Sequence, residues 1–386
     1  MASNEELLIN VTPRETRVAV VENGLLQELH IERSSKRGVL GNIYKGRVQR
    51  VMPGMQAAFV DVGLERAAFL HASDIVQAVS APFTAESVPS ERRPPPLITS
   101  LVHEGQDIIV QVIKDPIGSK GARLTTEISI PSRYLVLLPD SQTIGVSSRI
   151  EEEQERQRLK QLVQAHANSS GCGYIVRTNA EGVEAAFIEQ DIVYLGRAMQ
   201  VIRRRGEHAV TGECLFDDLS LPMRAVRDML HARVATVQID SREMFDKVQL
   251  FAQQLMPELA DRIRLYPGTR PIFDMYGVED EISRALNKQV PLKSGGYLVF
   301  DQTEAMTSVD INTGSFLGQK NLEETAYRTN LEAAQSVARQ LRLRNLGGII
   351  VIDFIDMHED EHKRQVLRTL EKGLAGDHVK TVVYDF

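Results

Sequence analysis

The sequence contains no tryptophan and only two cysteines among its 386 residues. Cys172 and Cys214 are far apart and form no CxxC motif, which excludes a disulfide framework and a four-cysteine zinc site. The longest apolar runs, such as 347–352, are too short to cross a bilayer. The N-terminus, MASNEELLIN, lacks the basic and apolar segments of a secretory signal. We therefore expect a cytoplasmic protein with no membrane partner.

Neither sign of charge dominates the sequence, although acidic residues are in excess. The 45 Lys and Arg residues and the 52 Asp and Glu residues give a formal net charge of -7. This balance argues weakly against a nucleic-acid partner, but net charge does not report local basic patches. Neither a GxxxxGK[ST] nor a GxSxG pattern is present, which argues against a P-loop NTPase and an α/β-hydrolase.

Three polar residues near the C-terminus lie where a strand–helix–strand pattern brings strands together. Asp310 and Asn312 are two positions apart on one predicted strand, so they share a face, and Asp353 ends the next apolar strand. Paired carboxylates repel each other unless a cation joins them, and oxygen ligands suit Mg²⁺, which a nuclease uses. The alternative is that these acids cap turns or form ion pairs with Arg342 and Arg344.

The sequence over 348–356, GIIVIDFID, is a continuous β-branched run, typical of a strand that is covered on both faces. The preceding segment, 322–345, has the pattern of a long amphipathic helix. Together they predict an α/β sheet with a crossover connection. Between about residue 184 and residue 290 we expect mostly helix.

Short strands with glycine at the turns predict a small β-barrel over 41–75, which resumes at Ile108–Ile113. Phe59 and Phe69 would form an aromatic platform flanked by cations, as small barrels use to hold single-stranded nucleic acid. The cations are Lys45, Arg47, Arg50 and Lys120. Phe59 lies in the apolar run AAFV, so a place in the barrel core is an equal alternative.

Arg177 and Thr178 end a predicted strand and offer a guanidinium fork next to a hydroxyl. Such a pair can bind a phosphate. From spacing alone, an ordinary surface role is the more frequent outcome for two such residues.

Several long strings resemble the ribonuclease E/G family, in order and at matching spacing over nearly the whole chain. They are INVTPRETRVAVVENGLLQELHIER, GNIYKGRVQRVMPGMQAAFVDVGLERAAFLHASDI, KGARLTTEISIPSRYLVLLP, SGGYLVFDQTEAMTSVDINTG and RQLRLRNLGGIIVIDFIDM. The resemblance implies an α/β multidomain fold. Its expected parts are an RNase H-like part split between 1–35 and 221–285, an inserted S1 (OB-fold) RNA-binding barrel at 36–126 with a Pro-rich loop at 76–100, a 5′-sensor at 127–220, and a DNase I-like catalytic part at 286–386.

The family's activity implies a Mg²⁺-dependent endoribonuclease. It would cleave single-stranded A/U-rich RNA, prefer 5′-monophosphorylated ends, and leave 5′-phosphate and 3′-hydroxyl products. The RNA partners would be ribosomal RNA precursors, through maturation of the 16S 5′ end, and messenger RNA undergoing decay. The resemblance places Mg²⁺ on Asp310 and Asp353, and gives Asn312 the role of orienting a carboxylate or the scissile phosphate. It also implies a 5′-phosphate pocket formed by Arg177, Thr178 and the backbone of Val136. On the S1 barrel, it implies RNA contacts by Phe59, Phe69 and Lys120.

The sequence departs from the family pattern at its C-terminal end. The family has a Cys-Pro-x-Cys zinc link that joins two protomers into a homodimer, and no such motif occurs in this sequence. We therefore expect no zinc and weak assembly. A non-catalytic RNA-binding protein that uses the barrel and the sensor is the alternative function, although the three catalytic side chains favour the nuclease. The loop 76–100 has no assigned function.

Overall fold

The computed structural model describes residues 5–76, 96–118, 120–231, 233–314, 322–377, 379 and 381–386. Most of the predicted Pro-rich loop, residues 77–95, lies outside this set. A membrane-spanning helix is not found in the described ranges, since none combines the length and the apolar character that a bilayer requires.

The described residues form nineteen strands. They are β1 (Glu5–Val11), β2 (Glu15–Glu22), β3 (Leu25–Arg33), β4 (Ile43–Met52), β5 (Ala57–Asp61), β6 (Ala68–His71), β7 (Asp107–Lys114), β8 (Arg123–Thr125), β9 (Ile130–Pro131), β10 (Leu135–Leu138), β11 (Ile144–Val146), β12 (Gly173–Val176), β13 (Cys214–Phe216), β14 (Val234–Ile239), β15 (Ile263–Leu265), β16 (Gln289–Pro291), β17 (Tyr297–Gln302), β18 (Met306–Asn312) and β19 (Ile349–Asp353).

Nine α-helices also occur within the described ranges. They are α1 (Ile98–Leu101), α2 (Glu153–Ser170), α3 (Ala185–His208), α4 (Leu221–Met229), α5 (Arg242–Leu255), α6 (Ile272–Met275), α7 (Val278–Ala285), α8 (Leu322–Leu343) and α9 (Asp360–Leu374).

The chain divides into two compact units. The first comprises Met1–Ile31, Ala232–Asp246 and Arg262–Phe386, and the second comprises Glu32–His231 and Lys247–Asp261. Each unit contains two of the four sheets.

In the first unit, one sheet has the strand order β15-β14-β1-β2-β3. The turn between β2 and β3 holds Asn23 and Gly24 at φ angles of 50° and 77°. Positive φ at both central residues is the geometry that Asn-Gly favours in a two-residue hairpin, so the dipeptide itself predicts the turn that the structure shows. β1 also pairs in parallel with β14, which is distant in sequence.

The other sheet of the first unit has the order β16-β17-β18-β19, in which β18 and β19 are parallel and α8 connects them. Alternate side chains of β17 and β18, including Leu298, Val309 and Ile311, are buried in one core with residues of α8 and α9. The predicted strand–helix–strand arrangement is confirmed. This sheet therefore has one face packed by helices and one face that the described residues leave open.

In the second unit, β4, β5, β6, β8 and β7 follow one another, and β7 pairs back with β4 to close a five-stranded barrel. Val48, Val60 and Leu70 are among its buried interior residues. At Gly46 in β4, a Cβ atom would lie 2.6 Å from Cγ1 of Val60 in β5. Glycine therefore fits at this position, whereas any other residue would require Val60 or the backbone to move. The predicted barrel is confirmed, and its closed five-stranded form is consistent with an OB-fold.

The remaining sheet of the second unit has the order β11-β12-β10-β9. Its core contains Leu135 and Val176 from the sheet, with Leu159 of α2 and Leu195 of α3. The predicted phosphate-binding residues lie at this sheet, because Val136 is in β10 and Arg177 and Thr178 follow β12.

One prediction about an element is wrong. The strand that ends at Asp353 is not covered on both faces, because Ile349 and Val351 are 62% and 50% exposed within the part of the chain that the structure describes. A run of Ile and Val has no alternation, so it cannot show that one face stays open. The region 184–290 is mostly helix, as predicted, and it also holds the short strands β13, β14 and β15. These strands are short, and β14 is stabilised by pairing with the distant β1.

Candidate functional site

The open face of the second sheet of the first unit carries two carboxylates side by side. Asp310 of β18 and Asp353 of β19 are register partners in the parallel ladder. Partner positions on adjacent strands point their side chains to the same face, and both residues are exposed. The structure thus brings together the two acids that the sequence analysis selected.

Asn312 lies on the same face as Asp310, two residues further along β18. Its side-chain Nδ2 donates a hydrogen bond to Asp310 Oδ2 at 2.7 Å. The amide therefore fixes the orientation of one carboxylate.

The two arginines considered as partners of these acids bind elsewhere. Arg342 donates to Gln27 Oε1 at 2.9 Å, and Arg344 donates to Gln340 Oε1 at 2.8 Å. Among the described residues, no Lys or Arg forms an ion pair with Asp310 or Asp353. The pair of like charges thus has no cationic partner in that part of the chain, which is an unfavourable arrangement unless a cation binds.

The donor set fits Mg²⁺ better than it fits a fully protein-ligated metal. Within the described ranges, no group of three or more His, Cys, Asp or Glu residues is arranged to hold a metal ion. Mg²⁺ is usually held by one or two carboxylates, and it completes its octahedral shell with water and substrate phosphate oxygens. Asp310 and Asp353 supply that number of carboxylates on an accessible face.

The predicted phosphate-binding residues lie in the second unit. Val136 is in β10, where it pairs with Ile175 of β12 and with Pro131 of β9. Arg177 follows β12, and its backbone N–H donates to the carbonyl of Tyr134 at 2.8 Å. The structure therefore brings Val136 and Arg177 to the same pair of strands.

The side chains of Arg177 and Thr178 are held by residues that the sequence analysis did not select. Arg177 Nη1 donates to the carbonyl of Ser132 at 2.5 Å and forms an ion pair with Asp228 at 2.7 Å. The hydroxyl of Thr178 lies 3.1 Å from that of Ser147. Sequence spacing gave no signal for these partners, because the fold brings them together from separate elements.

Phe59 and Phe69 are register partners in β5 and β6, and their ring centroids are 6.2 Å apart in an edge-to-face arrangement. Ala58 and Val60, on either side of Phe59, belong to the barrel interior, so Phe59 points outward and is partly exposed. This orientation does not support the core alternative for Phe59. Lys120 is exposed and lies in the turn before β8.

Comparison with known proteins supplies the family. The model of the ribonuclease E/G family matches residues 129–386. The chain is also 52% identical over 381 residues to ribonuclease G of Escherichia coli (strain K12), an alignment that covers 99% of this chain and 77% of that protein. The chain belongs to the ribonuclease E/G family.

Other members of the ribonuclease E/G family are also similar to this chain, and their sequence identity to it falls at two levels. Ribonuclease G of Haemophilus influenzae is 52% identical over 381 residues, with the same coverage of 99% and 77%. Ribonuclease E of Escherichia coli (strain K12) is 37% identical over 379 residues, which are 97% of this chain and 35% of that protein. These alignments include the barrel, which precedes the residues matched by the family model.

An HExxH pattern, which sequence reasoning did not single out, occurs at residues 358–362 of this member of the ribonuclease E/G family. In zincins both histidines of that pattern lie on one helix and bind the metal. Here His358 precedes α9, and His362 bonds to Glu323 at 3.2 Å and stacks on Tyr327. Glu323 also accepts from the backbone N–H of His358, so this cluster joins the start of α9 to α8.

Proposed function

We propose that this chain is a Mg²⁺-dependent endoribonuclease that cleaves single-stranded, A/U-rich RNA and leaves 5′-phosphate and 3′-hydroxyl ends. Membership of the ribonuclease E/G family supports RNA as the substrate and phosphodiester hydrolysis as the reaction. The observation that carries the metal-dependent chemistry is the register pair Asp310 and Asp353, which has no cationic partner among the described residues.

In this proposal Asp310 and Asp353 hold the metal ion, and Asn312 keeps Asp310 in one orientation through its 2.7 Å hydrogen bond. Bound Mg²⁺ would supply charge neutralisation at the phosphodiester and activation of water. The contribution of the chain itself is to place the two carboxylates where RNA can approach them. Both carboxylates lie on the open face of the sheet, so a flexible single strand can reach them, while the opposite face is closed by α8 and α9.

The proposal includes a pocket for the 5′-monophosphate at Arg177, Thr178 and the backbone of Val136. The guanidinium fork and the hydroxyl are the group types that bind phosphate oxygens. Phe59 and Phe69, which point out of the barrel, would stack RNA bases, with Lys120 near the backbone phosphates. Recognition of the 5′ end and of the strand would then rest on the second unit.

The finer fold assignments are part of the same proposal: an RNase H-like part at 1–35 and 221–285, an S1 barrel at 36–126, a 5′-sensor at 127–220 and a DNase I-like part at 286–386. The pairing of β1 with β2 (antiparallel) and with β14 (parallel) supports the first assignment. The proposed roles are maturation of the 16S ribosomal RNA 5′ end and RNA decay.

The test is cleavage of one fluorescent A/U-rich RNA oligonucleotide, prepared with a 5′-monophosphate and with a 5′-hydroxyl, in Mg²⁺ and in EDTA. We expect cleavage only in Mg²⁺, faster on the monophosphate, with products that carry 5′-phosphates. Cleavage that persists in EDTA would contradict the metal site. Binding without cleavage would favour the non-catalytic RNA-binding function.

A further inference from the structure

Arg177 shares a carboxylate with a second, buried arginine. Asp228 lies in the last turn of α4, and its Oδ1 forms an ion pair with Arg177 Nη1 at 2.7 Å. The same Oδ1 accepts from Arg227 Nε at 3.0 Å, and Oδ2 accepts from Arg227 Nη2 at 2.8 Å. Asp228 is thus held on both oxygens by Arg227 while it binds Arg177 through one.

The contacts of Arg177 leave one edge of its guanidinium open. Nη1 carries both of its side-chain contacts, which are with Ser132 O and Asp228 Oδ1. Within the described residues, Nε and Nη2 have no hydrogen-bond partner. These two nitrogens form the edge that binds a phosphate through two parallel hydrogen bonds.

Arg227 is a fixed support for Asp228. It is 6% exposed, and its Nη1 lies 3.4 Å from the carbonyl of Pro131 in β9. Burial opposes ionisation of Asp228, but Arg227 and then Arg177 hold the pKa of its carboxyl below the ordinary value, so it stays charged. Arg227 Nη1 also lies 4.0 Å from Asp218 Oδ1, so Arg227 is paired with two carboxylates, whereas Asp228 is the one side-chain carboxylate paired with Arg177 among the described residues.

We propose that Asp228 is a positioning residue of the 5′-phosphate pocket, which holds Nη1 of Arg177 so that the Nε–Nη2 edge is presented to the terminal phosphate. This inference rests on the proposed function of Arg177. A free arginine side chain has many rotamers, and binding a phosphate would have to restrict them at a cost in affinity. Asp228 and the Ser132 carbonyl impose that restriction before RNA arrives.

The competing explanation is that Asp228 only stabilises α4 through Arg227. The two differ in substrate dependence, because a structural role affects all RNA cleavage, whereas a positioning role affects only RNA with a 5′-phosphate. The readout is the ratio of kcat/KM on 5′-monophosphorylated RNA to kcat/KM on the same RNA with a 5′-hydroxyl. Thermal melting of each variant reports the structural contribution separately.

The variants are Arg177→Ala, Asp228→Ala and Asp228→Asn, assayed with Mg²⁺ in the full chain. We expect Arg177→Ala to remove the preference for the monophosphate. Asp228→Ala should lower the preference roughly tenfold, the order expected for a lost hydrogen bond between charged groups. The loss should be mainly in KM for the monophosphorylated RNA and should exceed any loss on the 5′-hydroxyl RNA, because removing the partner of the buried Arg227 lowers stability for both substrates alike.

Asp228→Asn should recover part of the preference. The carboxylate uses Oδ1 for both Arg177 Nη1 and Arg227 Nε, and an asparagine carbonyl at that position can still accept both hydrogen bonds. The control is Asp74→Ala, which removes a similar two-oxygen ion pair with Arg123 in the same unit. That variant should leave the ratio unchanged.

Two results would overturn the inference while leaving the proposed pocket intact. One is loss of the preference in Arg177→Ala but not in Asp228→Ala. The other is an equal loss on both RNA substrates in Asp228→Ala, which would assign Asp228 to the fold. If Arg177→Ala itself retains the preference, the proposed pocket is wrong and the inference fails with it.

Discussion

Asp310 and Asp353 are brought together by strand register, whereas the orientation of Asp310 depends on one neighbouring side chain. The hydrogen bond from Asn312 Nδ2 uses Oδ2 of Asp310, and Oδ1 has no hydrogen-bond partner among the residues that the structure describes. A metal ligand that is already oriented costs less conformational entropy when the ion binds. Asn312 is therefore expected to act through Asp310 as well as through any contact with RNA.

Replacing Asn312 with alanine should reduce kcat by roughly tenfold or more, because second contacts that orient metal ligands typically change affinity or activity by factors of this order. It should also raise the Mg²⁺ concentration that gives half-maximal rate. The assay is RNA cleavage across a Mg²⁺ titration. The control is Ser308→Ala, a change at an exposed position on the same face of β18. An unchanged Mg²⁺ requirement in the Asn312 variant would contradict this role.

The aromatic pair on the barrel gives a second prediction for single residues. Phe59→Ala and Phe69→Ala should each weaken RNA binding by about 1–3 kcal/mol if a base stacks on the ring. Fluorescence anisotropy of a labelled single-stranded RNA measures the change. Ile113→Ala is the control, since Ile113 is a 37% exposed apolar residue elsewhere on the barrel. Equal effects of all three variants would indicate a general loss of barrel stability.

At the scale of elements, ion pairs link helices to the loops that carry the proposed pocket. Glu155, in the first turn of α2, accepts two hydrogen bonds from Arg158 and one from the backbone N–H of Gly182. The hydrogen bonds from Arg158, and then that from Gly182, hold the pKa of Glu155 at about 2, well below its ordinary value of 4.5. This carboxylate thus ties α2 to the segment after Thr178.

The depressed pKa of Glu155 makes stability depend on pH in one direction. Between pH 4.5 and about 2 the folded chain keeps this carboxylate ionised while the unfolded chain binds a proton. Its stabilising contribution is therefore complete above pH 4.5 and is lost as the pH falls towards 2. The difference in melting temperature between the protein and Glu155→Gln should shrink over that window. Glu153→Gln, in the same turn, is the control. A melting-temperature difference for Glu155→Gln that stays constant with pH would contradict the lowered pKa of Glu155.

How far the sequence predicts each element depends on whether the signal is local. The Asn23-Gly24 hairpin, the helix α8 and the barrel strands follow from dipeptides and periodicity within short segments, and the structure confirms them. β14 escaped prediction because its pairing with β1 depends on residues more than two hundred positions away. The open face of β19 was not predicted, because a run of β-branched residues has the same pattern whether one face of the strand or both faces are covered.

The residues of the candidate site could likewise be predicted only where the sequence carries a recognisable pattern. Convergence of Asp310 and Asp353 could be predicted, because strand ends in an α/β sheet collect functional residues. The partners of Arg177 could not, because Ser132, Asp228 and Arg227 lie on other elements and form no recognisable spacing with it. Such contacts are visible only once the fold has placed the elements.

At the scale of the whole molecule, the proposed chemistry and the proposed RNA contacts belong to different compact units. Asp310, Asn312 and Asp353 lie in the first unit, while Arg177 and the barrel aromatics lie in the second. Each unit has its own core of buried residues. A change to a carboxylate in the first unit is therefore expected to affect cleavage without removing the surfaces that bind RNA.

The measurement that most directly tests this account is Mg²⁺-dependent cleavage and RNA binding by Asp353→Asn, with Asp301→Asn as the matched control. Asp301 is an exposed acid in β17 of the same sheet, and it already pairs with Lys288 at 2.5 Å. We expect Asp353→Asn to abolish cleavage while RNA binding persists, and Asp301→Asn to retain both. Full cleavage by Asp353→Asn would contradict the assignment of the metal site to Asp310 and Asp353.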